Sequence, residues 1–126
     1  MEIKSKMPVS EESLASGFPD VESPVSVPGI DNDIEIFRDE FGISHVNATS
    51  VSDAFFGQGF AAAQDRLWQM EHFRRWAYGR WAEYAGPAGL AQDRLLRLYQ
   101  IAPIVKDDYR QLGDAARAMV DAYAAG

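Results

Sequence analysis

The sequence predicts an α+β fold that is predominantly helical, and three observations lead there. Apolar and polar residues alternate on both sides of a glycine-containing turn between residues 34 and 48, the signature of a β-hairpin. From Phe56 onward apolar residues recur at spacings of four and three, the period of a helix. Beyond residue 78, glycine and proline cut the remaining pattern into shorter helical stretches. Two parts are expected: an extended Pro/Ser-rich N-terminal arm over 1–31, and a unit of hairpin plus helices over 32–126.

The arm holds four of the six prolines (Pro8, Pro19, Pro24, Pro28) among serines and acidic residues. Proline fixes φ and removes an amide donor, so helix is limited to one turn near Glu11–Ala15. Val21, Val25, Val27 and Ile30 would let the remainder drape over a larger body.

Ile34-Glu-Ile-Phe-Arg-Asp and Ile43-Ser-His-Val-Asn-Ala are the strands, and Asp39, Glu40 and Gly42 are suited to the turn between them. Ser50 or Ser52 then caps a helix whose first turn carries Asp53 at the positive end of the helix dipole. Phe56, Phe60, Ala63, Leu67 and Met70 form its apolar stripe. Phe55, Ala61, Trp68 and Phe73 add apolar surface beside it, as in a helix buried between layers. Gly57 and Gly59 each cost about 1 kcal/mol relative to alanine, so their expected use is close approach of another backbone. Glu71 is placed to pair with Arg74 and Arg75.

The helix should run to about Tyr78, with Trp81–Tyr84 as a further turn. Leu90–Ile101 follows, with Leu95, Leu98 and Ile101 on one side, and Pro103 should kink or break it. A last helix, Ala115–Ala125, is expected to be capped by Asp114 after a break at Gly113.

A formal net charge of −7 argues against nucleic acid and anionic membrane surfaces as partners, because both are bound through excess Lys and Arg. Without cysteine there is no disulfide, thiolate metal site or thiol nucleophile. No apolar run approaches a membrane span. The start lacks the apolar stretch of a secretory signal, so either a cytoplasmic location, which is favoured, or an export signal outside this sequence is expected.

No complete catalytic or metal constellation emerges from the residues. His45 and His72 lack a third ligand at a telling spacing, so they read as a strand residue and a packing or surface residue. Ser44 and His45 are neighbours on a strand, which sends their side chains to opposite faces and makes them a poor nucleophile and base. No serine lies in a nucleophile elbow. Asp65 and Arg66 point about 100° apart on a helix, which suits separate tethering contacts. Trp68, Trp76, Trp81 and Tyr84 read first as core packing and second as a ligand pocket. We therefore assign no catalytic, cofactor-binding or metal residue within this sequence.

Three ordered blocks carry a family resemblance. They are Ile36-Phe-Arg-Asp-Glu-Phe-Gly-Ile-Ser-His-Val-Asn-Ala48, then Asp53-Ala-Phe-Phe-Gly-Gln-Gly-Phe-Ala-Ala-Ala-Gln-Asp-Arg-Leu-Trp-Gln-Met-Glu71, then Arg74-Arg75 with Gly79-Arg-Trp-Ala-Glu-Tyr-Ala-Gly86. Over about residues 33–126 the chain resembles the N-terminal part of the α chain of the penicillin acylase (penicillin amidase) family. That family includes cephalosporin acylases and acyl-homoserine lactone acylases. The resemblance implies the αββα N-terminal-nucleophile hydrolase fold and a precursor that cleaves itself into α and β chains. It further implies a catalytic Ser at the β-chain N-terminus, which would lie after Gly126. On this reading the partners are the remainder of the precursor, or β chain, and a small-molecule N-acyl substrate. No cofactor is expected in this segment, and calcium is implied only for the complete enzyme. The alternative is a non-catalytic helical binding or assembly module.

Overall fold

The computed structural model describes residues 10–126; the first nine residues of the arm, Pro8 included, lie outside the described residues. Ser10 opens the described chain as a helix cap. Its Oγ accepts the Ser13 amide at 3.1 Å, and α1 (Glu11–Ala15) follows for little more than a turn. Asp20 then holds a turn by accepting the Glu22 and Ser23 amides at 3.0 Å each, and the chain runs extended toward the hairpin.

Strands β1 (Glu35–Arg38) and β2 (Ser44–Asn47) pair antiparallel, with Ile36 opposite Val46 and Phe37 opposite His45. The turn is built around the Asp39 carboxylate, which accepts the amides of Phe41 at 3.0 Å and Ile43 at 2.9 Å. Gly42 sits there at φ 76°, a conformation that costs glycine nothing. Alternation puts Ile36 and Val46 on the face that meets the next helix, while Phe37 and His45 stack on the other at 4.8 Å.

Helix α2 (Val51–Ala77) starts at Ser50, whose Oγ accepts the Asp53 amide at 3.0 Å. Its two early glycines are where the packing is tightest. A Cβ on Gly57 would lie 2.7 Å from Val46 Cγ1 and 2.9 Å from Ile34 Cγ2. A Cβ on Gly59 would collide with the carbonyl of Tyr123 in the last helix. Close backbone approach is thus the use of both glycines, and the first half of α2 is wedged between the hairpin and the C-terminal helix.

The expected single stripe along α2 is interrupted. Arg66 leaves helical geometry at φ −137°, ψ 16°, so α2 is two helices joined at a kink. Rotation at that point takes the later apolar residues off the buried line: Phe56 is 4% exposed, whereas Leu67 is 66% exposed. Neither proline nor glycine occupies residues 60–72. The kink instead coincides with the residue after Asp65, whose carboxylate is held by the hairpin.

After α2 come α3 (Ala82–Ala85), a 3-10 turn (Gly86–Gly89), α4 (Leu90–Tyr99), α5 (Ile101–Gln111) and α6 (Asp114–Ala125). Three expectations change here. The chain breaks at Gln100, which adopts the left-handed conformation at φ 54°, rather than at Pro103. Pro103 lies in the first turn of α5, where its missing amide would have had no intrahelical acceptor. The buried face of α4 is Asp93 and Leu96, the latter 3% exposed, while Leu98 on the expected side is 79% exposed. Gly113, not Asp114, occupies the cap position of α6, and Asp114 begins the helix at its positive dipole end.

Candidate functional site

The polar residues that the folded chain organises form three clusters, two on α2 and one just beyond its end. The first is Asp53, 1% exposed. Its carboxylate accepts the backbone amide of Asp31 at 2.9 Å and the Asn32 side-chain amide at 3.3 Å. These bonds fasten the root of the arm to the start of α2, and the Asp31 amide foremost holds the carboxyl below its ordinary pKa. Asp53 therefore does more than favour the helix dipole.

The second cluster ties the hairpin to the kink. Arg38 on β1 donates to Asp65 at 2.8 Å and to Gln64 at 3.1 Å. Ser44 on β2 donates to the other Asp65 oxygen at 3.4 Å. Arg66 turns away and reaches Gln69 at 3.4 Å, so the adjacent pair makes separate contacts. Ser44 and His45 diverge likewise: His45 Nε2 lies 3.1 Å from Asp39. That hydrogen bond is the leading cause of a lowered Asp39 pKa. Ser44 is therefore paired with a carboxylate, not an imidazole.

The third cluster joins α4 to the turn after α2. Asp93, 5% exposed, accepts the amides of Trp81 and Ala82 at 2.8 Å each. Arg97 donates to the Gly79 carbonyl at 2.9 Å. Gly79 is held at φ 60°, and a Cβ there would lie 2.7 Å from the Asp93 carbonyl oxygen. The sequence pattern does not mark Asp93, because a carboxylate on an amphipathic helix ordinarily faces water. Arg94 beside it and Arg97 four residues later point instead to an ordinary solvated ion pair.

Around these clusters lie ion pairs and aromatics. Glu71 accepts from Arg74 and Arg75 at 2.6 Å each, and Glu83 accepts from Arg75 at 3.0 Å and Arg80 at 2.7 Å. The Arg74 hydrogen bond leads the effects that bring Glu71 down to about 2. Trp68, Trp81 and Tyr84 do gather, with ring centroids 4.9 Å apart for Trp68–Tyr84 and 5.4 Å for Trp81–Tyr84. His72 packs edge-on to Trp81 at 4.4 Å. This is not the interior cluster expected: Trp68 and Tyr84 are both exposed, and Trp76 stands apart from them. Among the described residues there is no group of three or more His, Asp or Glu able to hold a metal ion. A groove of about 620 Å³ runs between arm residues 20–30 and the β1–α2 surface.

What these contacts do chemically is hold a hairpin, a kinked helix and a helical pair at fixed angles; they define a scaffold. Comparison with known proteins shows the family. The family model described as penicillin amidase matches residues 33–126, and the chain belongs to that family. It is 38% identical over 115 residues to the penicillin acylase 2 proenzyme of Pseudomonas sp. (strain SE83), covering 91% of this chain and 15% of that protein. It is 28% identical over 116 residues to the acyl-homoserine lactone acylase QuiP of Pseudomonas aeruginosa, covering 92% of this chain and 14% of the relative. A solved thermostable penicillin G acylase from Alcaligenes faecalis superposes with a TM-score of 0.65 at 32% identity, over 72% of this chain and 49% of that one. The chain thus spans about one-seventh of the length of these curated relatives.

Proposed function

We propose that this chain is the N-terminal segment of the α chain of an amidohydrolase that removes an acyl group from an amide, such as a β-lactam side chain or an acyl-homoserine lactone. The nucleophile in this reading is a Ser at the N-terminus of a β chain, on polypeptide other than residues 1–126. An N-terminal Ser can act as its own base, because an α-amine has a pKa of about 7.7–8.0 and is partly neutral at working pH. Donors around the tetrahedral oxyanion would complete the machinery. The contribution of residues 33–126 is positional.

The observation that carries this reading is the division of α2. Its first half is buried by the hairpin and α6, while Leu67, Trp68 and Phe73 on its second half remain exposed. Such a patch is expected where further polypeptide packs. Calcium, which the resemblance implies for some complete enzymes, finds no ligand set among the described residues, and no step here depends on it.

The test is hydrolysis of an N-acyl anilide series and of an N-acyl-homoserine lactone. The 126-residue chain alone should give no turnover, and the complete precursor should give acyl release after cleavage. Appreciable turnover by the chain alone would overturn the reading. So would a complete protein that is never processed and binds partners instead, which is the behaviour of a helical assembly module.

A further inference from the structure

A second pocket, of about 350 Å³, lies between α3 and α4; Arg80, Ala82, Glu83, Leu90, Asp93, Arg94 and Arg97 line it. Three of these seven residues are arginine, in a chain whose formal net charge is −7. Their pairing is unequal. Arg80 is matched by Glu83 through bonds of 2.7 and 3.1 Å. Both Asp93 oxygens are taken by the Trp81 and Ala82 amides. Arg97 spends its Nε on the Gly79 carbonyl. The Arg97 terminal nitrogens and the whole Arg94 guanidinium have no acceptor among the described residues.

Arg94 and Arg97 stand three residues apart on α4, so the two positive groups share one face of the helix and repel each other. A bound oxyanion removes that repulsion, and the planar guanidinium fork is matched to it in shape. Leu90, one turn before Arg94, gives the pocket an apolar wall beside the charge. We propose that this pocket is a carboxylate-binding site, with Arg94 as its principal anchor and Arg97 as the second. Its occupant is a carboxylate, carried either by a small dicarboxylic acid or by an acidic side chain of the complete enzyme. The free-ligand arm is independent of the proposed acylase activity, and the side-chain arm rests on that reading.

The experiment is calorimetric titration of glutarate into the chain, at two ionic strengths, alongside Arg94→Gln, Arg94→Glu and a distant control, Arg110→Gln. Arg94 is exposed and makes no hydrogen bond or ion pair among the described residues, so circular dichroism of its variants should match the parent. One saturable site is expected, weakened roughly tenfold by Arg94→Gln, as for loss of a hydrogen bond to a charged group. Arg94→Glu should abolish binding, added salt should weaken it, and Arg110→Gln should leave it unchanged. Melting of the complete protein then identifies the source. Stabilisation by glutarate marks a free ligand. No stabilisation, with a melting point lowered by Arg94→Glu, marks a side chain of the protein already in place. Absence of saturable binding to the chain, or binding indifferent to Arg94→Glu, overturns the proposal.

Discussion

At the scale of the residue, the strongest constraints are two glycines and a few carboxylates. Gly59→Ala places a methyl group against the Tyr123 carbonyl, and backbone cannot yield as a flexible side chain does. The expected loss is about 1–3 kcal/mol, the usual range for overpacking, measured by urea unfolding. Gly113→Ala meets no atom within 4 Å and keeps an ordinary φ of −64°, so it should cost less. The carboxylates set the acid limit. Asp53, Asp39 and Glu71 all have lowered pKa values, Glu71 to about 2. Groups shifted down contribute stability that is fully present above their unfolded pKa and lost as pH falls through the folded one. Stability should therefore hold near neutrality and decline from roughly pH 4 toward pH 2, where unfolded carboxylates titrate near 4. Asp53→Asn, followed by circular dichroism against pH, should flatten part of that decline. An unchanged acid profile would mean the Asp53–Asp31 link does not matter to folding.

At the scale of the element, the α4–α5 junction separates two explanations of a break. If Pro103 interrupted a helix, Pro103→Ala would relieve about 3 kcal/mol. Because Pro103 lies in a first turn, the expected change is instead a loss of about 0.4–1 kcal/mol through a freer unfolded chain. Gln100→Gly should raise stability by up to about 1 kcal/mol, since the left-handed conformation is costly for a residue with a Cβ. Both are read from thermal melts. The junction also shows where local pattern fails. The hairpin, the Ser50 cap and the uses of Gly57 and Gly59 are legible because each depends on neighbours in sequence or on a rule about backbone. The kink at Arg66 is not, because Asp65 is held from outside the helix by Arg38 and Ser44. Once the axis bends, extrapolating a stripe from Phe56 to Met70 misplaces Leu67. The same limit hid Asp93 and Leu96, since helical spacing admits two candidate faces on α4 and tertiary contact selects one.

At the scale of the whole molecule, the buried apolar set among the described residues is small: Phe56, Ala61 and Leu96. Against it stand exposed Leu67, Trp68, Phe73, Ile104 and Val105. The chain alone should associate in size-exclusion chromatography and bind a hydrophobic dye. A monodisperse, dye-silent monomer would count against the need for covering polypeptide. The Gly57 contact with the hairpin, the Gly59 contact with α6 and the three polar clusters hold these elements in place. The kink at Arg66 also divides α2 into two segments. Phe56 reports on the hairpin and α6 lobe, and Leu96 on the α3–α4 lobe, with Arg66 between them. Residues that share no partner are expected to have additive effects within about 0.5 kcal/mol. Truncating Phe56 and Leu96 together should therefore give the sum of the single losses. Amide exchange should in turn release the two lobes at different rates, making Arg66 the boundary between two cooperative units.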